Sequence, residues 1–193
     1  MSLVPSLRSP AIAAVTGVAV LASGAALATA GAATPAAPKT VTATRITRQP
    51  GTLAPGSNVS AGRVVGQRTF INATRGFALA NVRQADYAVA TTDGGKTWKT
   101  DGPALHLDAA QAPLSVSFVG AVNRRTVYAW GGGQVVDTTN DGGRTWRRAL
   151  FTAGSPVAVV GGFNGHLLAF VQSFSGRSTV EYSSKDGGKT WRR

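Results

Sequence analysis

The groups able to do chemistry are few enough to weigh one by one. Eight acidic residues stand against 20 Lys and Arg, with two histidines and no cysteine. Without cysteine the chain has no disulfide framework, zinc knuckle, iron–sulfur ligation or thiol nucleophile. Asp93, Asp141 and Asp186 recur inside one repeated motif, whereas Asp86, Asp101, Asp108, Asp137 and Glu181 do not. Glycoside hydrolysis needs two carboxylates flanking the scissile bond, one to donate a proton and one to act as nucleophile or base. The spacing of those five selects no such pair, so they read as turn and surface carboxylates, and no catalytic residue is assigned. His106 and His166 are 60 residues apart without ligand-like spacing, so no metal or cofactor is expected. Asn140-Asp141-Gly142-Gly143 has the outline of a calcium loop but lacks the alternating acidic ligands. No phosphate-binding glycine loop, serine elbow or dinucleotide fingerprint is present.

The repeated aspartates belong to three copies of one octet. These are Thr91-Thr92-Asp93-Gly94-Gly95-Lys96-Thr97-Trp98, Thr139-Asn140-Asp141-Gly142-Gly143-Arg144-Thr145-Trp146 and Ser184-Lys185-Asp186-Gly187-Gly188-Lys189-Thr190-Trp191. Each position has a physical role. Asp-Gly marks a tight hairpin, and glycine takes positive φ without steric cost. The carboxylate can accept hydrogen bonds from the turn amides and from the Thr or Ser hydroxyls, which locks the corner. The tryptophan buries its ring on the sheet while its indole NH seeks an acceptor.

The elements that position these corners are short strands. The aspartates are 48 and 45 residues apart, a period that suits one four-stranded propeller blade of about 40 to 50 residues. Ahead of the first octet the strand-like runs are Arg68 to Asn72, Gly76 to Ala80 and Tyr87 to Ala90. Ahead of the second they are Leu114 to Val119, Thr126 to Trp130 and Gln134 to Thr138. Ahead of the third they are Val157 to Val160, His166 to Val171 and Ser178 to Tyr182. Phe70 and Phe118, also 48 apart, keep step with the octets. A fourth strand should start at each Thr-Trp.

The octets resemble the Asp-box, or bacterial neuraminidase repeat, Ser/Thr-x-Asp-x-Gly-x-Thr-Trp, of sialidases, sortilin-type receptors, secreted glycosidases and photosystem II assembly and stability factors. The wording of the last group is nearest, through Arg75-Gly76-Phe77-Ala78 followed by the first octet. The resemblance spans roughly residues 63 to 193. It implies an all-β fold, a partial or small β-propeller of about three four-stranded blades, in which Thr91, Asp93, Gly95, Thr97 and Trp98 form a structural corner remote from the ligand face. Thr139, Asp141, Gly143, Thr145 and Trp146 make the second such corner, and Ser184, Asp186, Gly188, Thr190 and Trp191 the third. Sialidase chemistry would require an arginine cluster, an acidic acid/base and a Tyr-Glu pair. The nearest counterparts are Arg45-Ile46-Thr47 in place of an Arg-Ile-Pro signal, and Tyr182 beside Glu181, the only glutamate. Neighbours on one strand point to opposite faces.

Composition frames the rest. Charged residues are 15% of the chain against a usual ~25%, and glycine numbers 24 of 193, well above a usual ~7%. That fits a turn-rich strand array. From Ser9 to Pro38 there is no charge, Arg8 precedes this stretch, and Ala26-Leu27-Ala28 or Ala28-Thr29-Ala30 offers a cleavage site, so residues 1–30 read as a signal peptide. An N-terminal membrane anchor is the rival reading. Residues 31–62, rich in Ala, Thr, Pro and Gly, read as a linker in which Val41 to Thr47 could form a strand, and residues 63–193 as the Asp-box repeats. Only Arg192-Arg193 follow Trp191, so the last blade would nearly lack its fourth strand. A truncated or incomplete propeller is favoured over an open three-blade stack and over a protomer that closes by association.

With a net charge of +12, the available partners of an exported protein are anionic envelope polymers. No specific nucleic acid is expected, and no stable membrane span after cleavage. The expectation is therefore an exported, non-catalytic Asp-box scaffold holding an unknown protein or carbohydrate ligand in the manner of an assembly factor. The alternative is a truncated or remnant sialidase-like exo-glycoside hydrolase.

Overall fold

A computed structural model describes residues 36–107 and 114–193. The signal-peptide reading of residues 1–30 and the aspartate at 108 fall outside them. The described chain is built of strands with two single-turn 3-10 helices at Ala61–Arg63 and Phe163–Gly165. Three short strands come first, β1 (Thr40–Thr42), β2 (Thr44–Arg45) and β3 (Asn58–Val59). Three antiparallel groups of four follow. They are β4 (Val64–Phe70), β5 (Gly76–Val82), β6 (Ala85–Thr91) and β7 (Trp98–Leu107), then β8 (Phe118–Ala121), β9 (Val127–Trp130), β10 (Val135–Thr139) and β11 (Trp146–Leu150). The last group is β12 (Gly154–Gly161), β13 (Leu167–Ser173), β14 (Thr179–Ser184) and β15 (Thr190–Arg192).

Each group was expected to stop at four strands, and each has five. The orders are β3-β7-β6-β5-β4, β2-β11-β10-β9-β8 and β1-β15-β14-β13-β12. The fifth strands come from the segment read as a linker: β1 and β2 fall in the run expected to be able to form a strand, whereas β3 at Asn58–Val59 was not foreseen. The segment runs along the outer edges of the sheets in reverse order, third, second, first. Val41 stands opposite Trp191, Thr44 opposite Arg148, and Val59 opposite Trp98. Outer edges with unpaired amides and carbonyls are thereby covered. The fourth strand of the last sheet, expected to be almost absent, is the three-residue β15, and β1 pairs along all of it.

The core lies between sheets. Phe77, Leu79, Ala88 and Leu105 of the first sheet pack on Val119, Val127, Ala129 and Val135 of the second. Tyr128, Val136 and Phe151 of the second meet Val159, Leu167, Ala169 and Tyr182 of the third. The alternation of strand side chains makes this possible, because each middle sheet face must be apolar to be buried. Phe70 and Phe118 keep step in sequence but not in register. Phe70 pairs with Gly76 at the end of its strand, whereas Phe118 pairs with Trp130 at the start of its own. The β5–β6 hairpin is longer than β9–β10, which shifts the count.

Candidate functional site

The three octets fold into nearly superposable corners. In the first, Thr91 Oγ1 donates to Asp93 Oδ1 at 2.7 Å and accepts from the Gly95 amide at 2.9 Å. The Thr97 amide and hydroxyl donate to the two oxygens of Asp93 at 2.9 and 2.6 Å. The second corner repeats this through Thr139, Asp141, Gly143 and Thr145, and the third through Ser184, Asp186, Gly188 and Thr190. The Thr97 hydroxyl and amide, then the Thr91 hydroxyl, hold the Asp93 carboxyl well below the usual carboxylate range. Burial pushes Asp141 and Asp186 up, but hydrogen bonds from Thr145 and Thr139, and from Thr190 and Ser184, outweigh it and leave both below that range. A carboxylate so engaged is a poor proton carrier near neutral pH.

The tryptophans differ. Trp98 and Trp191 donate to the carbonyls of Gly95 and Gly188 in their own turns, at 3.0 and 3.1 Å. Trp146 instead donates to the main-chain oxygen of Asp101, the fourth residue of β7 in the first sheet. Burial pushes the Asp101 carboxyl up to about 6, with Arg75 opposing and Asp141 adding to the rise. Its Oδ2 is enclosed with no hydrogen-bond partner.

A second polar group spans the same seam. Asp137, fully buried in β10, receives Nε and Nη2 of Arg148 at 2.8 and 2.7 Å. Arg148 Nη2 also donates to the Leu105 carbonyl of the first sheet, so one guanidinium ties two sheets. Burial pushes Asp137 up to about 6, with Arg148 and then His106 opposing. His106 Nδ1 lies 3.1 Å from Asp86 Oδ2, directly across β6 and β7. The fork is the geometry that guanidinium and carboxylate favour, and enclosure at the seam makes it a strut. Beside it lies a groove of about 320 Å³ bordered by Thr44, Arg45, Thr47, Gln49, Leu105 and Arg148.

A wider groove, about 470 Å³, separates the second and third corners. Its walls carry three amides, Asn123, Asn140 and Asn164, three cations, Arg125, Lys185 and Lys189, and one carboxylate, Asp186. Asn140 Nδ2 donates to the Asp186 carbonyl at 3.4 Å across it. The Asn123 carboxamide oxygen is already taken by the Arg125 and Thr126 amides at 2.8 and 2.9 Å.

The residues weighed from sequence therefore part ways. Asp86, His106 and Asp137 gather at the first seam with Arg148, a partner that spacing did not reveal. Asp101 joins the second corner. Tyr182 is buried and donates to the Pro38 carbonyl at 2.8 Å, whereas Glu181 on the same strand is exposed, so the two do not meet. Arg45 lines the smaller groove together with Arg148, which Asp137 holds, and stands opposite Arg147 across β2 and β11. Among the described residues no group of three His, Asp or Glu side chains could hold a metal ion. No described helix is long and apolar enough to cross a membrane.

The BNR/Asp-box repeat model matches residues 89–100, the first corner with its flanking strand ends. No curated protein matches the chain. Among solved structures the chain is similar to one described as YCF48 bound to D1 peptide. Identity is 21%, 72% of this chain and 44% of that chain are covered, and the TM-score is 0.47. The chain thus spans less than half of that protein's length.

Proposed function

We propose that the protein is an exported, non-catalytic Asp-box β-propeller scaffold whose basic groove between the second and third corners binds an anionic partner. The observation that carries this reading is the groove lining. Arg125, Lys185 and Lys189 supply charge, and Asn140 and Asn164 supply amides that can donate to and accept from hydroxyls or carboxylates. This is the mixture that an acidic polysaccharide or an acidic peptide requires. A net charge of +12 raises the local concentration of such a ligand before contact.

The non-catalytic part of the proposal rests on where the acids are. Three carboxylates are engaged in turn hydrogen bonds, and Asp137 and Asp86 face cations or a histidine within a seam. The groove differs from the resemblance in its place, since it adjoins the corners. An assembly-factor-like role, in which the groove holds an acidic stretch of another protein, is the narrower form of the same proposal. Export rests on the alanine-rich leader alone.

Immobilised dextran sulfate and an immobilised poly-glutamate peptide test it directly. The protein should be retained by one or both at low salt and released steeply as salt rises, and replacing Arg125, Lys185 and Lys189 together by alanine should abolish retention. Salt-independent retention, or retention unaffected by the triple change, would overturn the groove assignment. Hydrolysis of a fluorogenic sialoside by the purified protein would overturn the non-catalytic reading.

A further inference from the structure

The two seams inside the chain are built alike, and together they define what a third sheet face lacks. In register with the corners, Gly76, Val127 and Leu167 stand opposite Thr91, Thr139 and Ser184. Phe77, Tyr128 and Leu168 are therefore equivalent, and Leu79, Trp130 and Phe170 lie two residues on, along the same face. In the first sheet Phe77 and Leu79 are buried against the second. In the second, Tyr128 is buried and Trp130 half-buried against the third. The same face of the third sheet carries Val160 opposite Leu168 and Ala158 opposite Phe170. Val160 and Leu168 are 52% and 36% exposed, whereas Phe77 is 2% exposed.

The other end of the array is not open in this way. The outer face of the first sheet, with Ala78, Ala80, Tyr87 and Val89, is buried, and Leu53 packs on it. The Leu53 amide donates to Tyr87 Oη at 3.0 Å, and the Thr100 hydroxyl to the Ala54 carbonyl at 2.7 Å. A second copy adding head to tail would have to displace this segment. The open face of the third sheet is left to meet its own kind.

Its charges favour that outcome. Glu181 stands opposite Phe170, the place held by Ala88 opposite Leu79 and by Val136 opposite Trp130. A carboxylate at the centre of a buried face is costly unless a cation meets it. Arg192 is on the same face one strand over, since Ser183 pairs with both Leu168 and Arg192. Glu181 and Arg192 are both exposed. A recess of about 340 Å³ bordered by Ser183, Lys185, Thr190 and Arg192 adjoins it. A two-fold axis lying across the strands, between the levels of Phe170 and Leu168, would set each Glu181 beside the Arg192 of the second copy, and such an interface closes without propagating.

We propose that the protein forms a two-fold dimer through this face of the third sheet, with Val160, Leu168 and Phe170 at its apolar centre and reciprocal Glu181–Arg192 pairs at its sides. The recess beside this face shares Lys185 with the groove, but Leu168, Glu181 and Arg192 do not line the groove. Sedimentation velocity of the purified chain over a concentration series tests it, with circular dichroism to establish folding of each variant. Wild type should sediment as a dimer. Leu168→Asp, at an exposed position, should leave a folded monomer. Glu181→Arg and Arg192→Glu should each weaken association about tenfold or more, and the two together should restore it. A folded wild-type monomer at every concentration, a dimer indifferent to Leu168→Asp, or failure of the paired reversal to restore association would overturn the proposal. A wild-type monomer that takes up a different protein on this face would overturn it too.

Discussion

The Trp146 indole donates its hydrogen bond to the main-chain oxygen of Asp101, a residue of the preceding sheet, and not to its own turn. The first and third corners keep this bond within their own turns, through Gly95 and Gly188. The second corner thus serves as the latch between the first and second sheets. Gly102 makes room for it: its φ is +121°, and a β-carbon there would collide with the Trp146 ring. Two residues past Trp146 and four past Asp101, the Arg148–Asp137 fork repeats the same link, closing on Leu105. The second corner therefore fastens neighbouring sheets as well as its own hairpin, through Trp146 on one side and Asn140 on the other.

Gly102→Ala should be among the most disruptive single-methyl changes in the chain, because both the left-handed backbone and the indole oppose it. Trp146→Phe removes the hydrogen bond together with part of a fully buried ring. It leaves the half-buried Asp101 carbonyl without its donor, which should cost about 1–3 kcal/mol in addition to the lost packing, read as a lower urea midpoint. Amide exchange around Asp101 in β7 should speed up in Trp146→Phe and stay unchanged in Trp191→Phe, whose bond is local. Equal exchange in the two variants would remove the latch.

The Arg148–Asp137 fork should behave as a buried pair. Asp137→Leu or Arg148→Met alone should destabilise by about 3–5 kcal/mol, because each leaves a charge enclosed without its partner. The double variant Asp137→Leu/Arg148→Met should recover much of that loss. Urea unfolding of all three gives the coupling energy. Additive losses would mean that the two side chains act separately.

Much of this architecture was legible, and the illegible parts have physical causes. The corners announced themselves because a turn that needs positive φ at two glycines and a carboxylate acceptor admits few residue types. The turn between β5 and β6 did not. Arg83 and Gln84 adopt φ of 52° and 63° there, without the Asn or Gly that marks such a hairpin, so the two strands seemed shorter than they are. The edge strands were hidden for another reason. Two or three residues such as Thr44–Arg45 and Asn58–Val59 have no periodicity of their own, and only the unpaired edges of three distant sheets make them strands. Val41 to Thr47 gave a partial signal through its β-branched residues. At the site, Asp137 and Arg148 are eleven positions apart across a hairpin, and their pairing followed from register, which sequence spacing does not fix.

The edge segment makes its own prediction. Val41 is buried opposite Trp191, so Val41→Ala should cost about 1–2 kcal/mol through the space it leaves, and Val41→Asp considerably more. Exposed Thr42→Ala should be nearly neutral. Thermal melts distinguish these, and equal melting of wild type and Val41→Asp would mean that β1 contributes nothing to the third sheet.

Protonation sets the last expectation. Burial, with the Asp141 charge adding and Arg75 opposing, raises the Asp101 carboxyl from its ordinary 3.8 to about 6. The folded state then holds this proton more tightly than the unfolded chain. Between about pH 4 and 6 stability must fall as pH rises, and the loss is complete above that window. The corner aspartates act in the opposite sense. Their carboxyls are lowered by the turn hydrogen bonds, so their contribution is present above the ordinary value and disappears as pH falls through the lowered one. Asp101→Asn should therefore leave stability at pH 4 almost unchanged, raise it by about 2–3 kcal/mol at pH 7.5, and make the decline between them shallower. Asp137, raised in the same direction by burial, supplies the slope that remains. Urea unfolding at pH 4, 5, 6 and 7.5 checks this, and a gain of equal size at every pH would show that Asp101 is not the group that titrates.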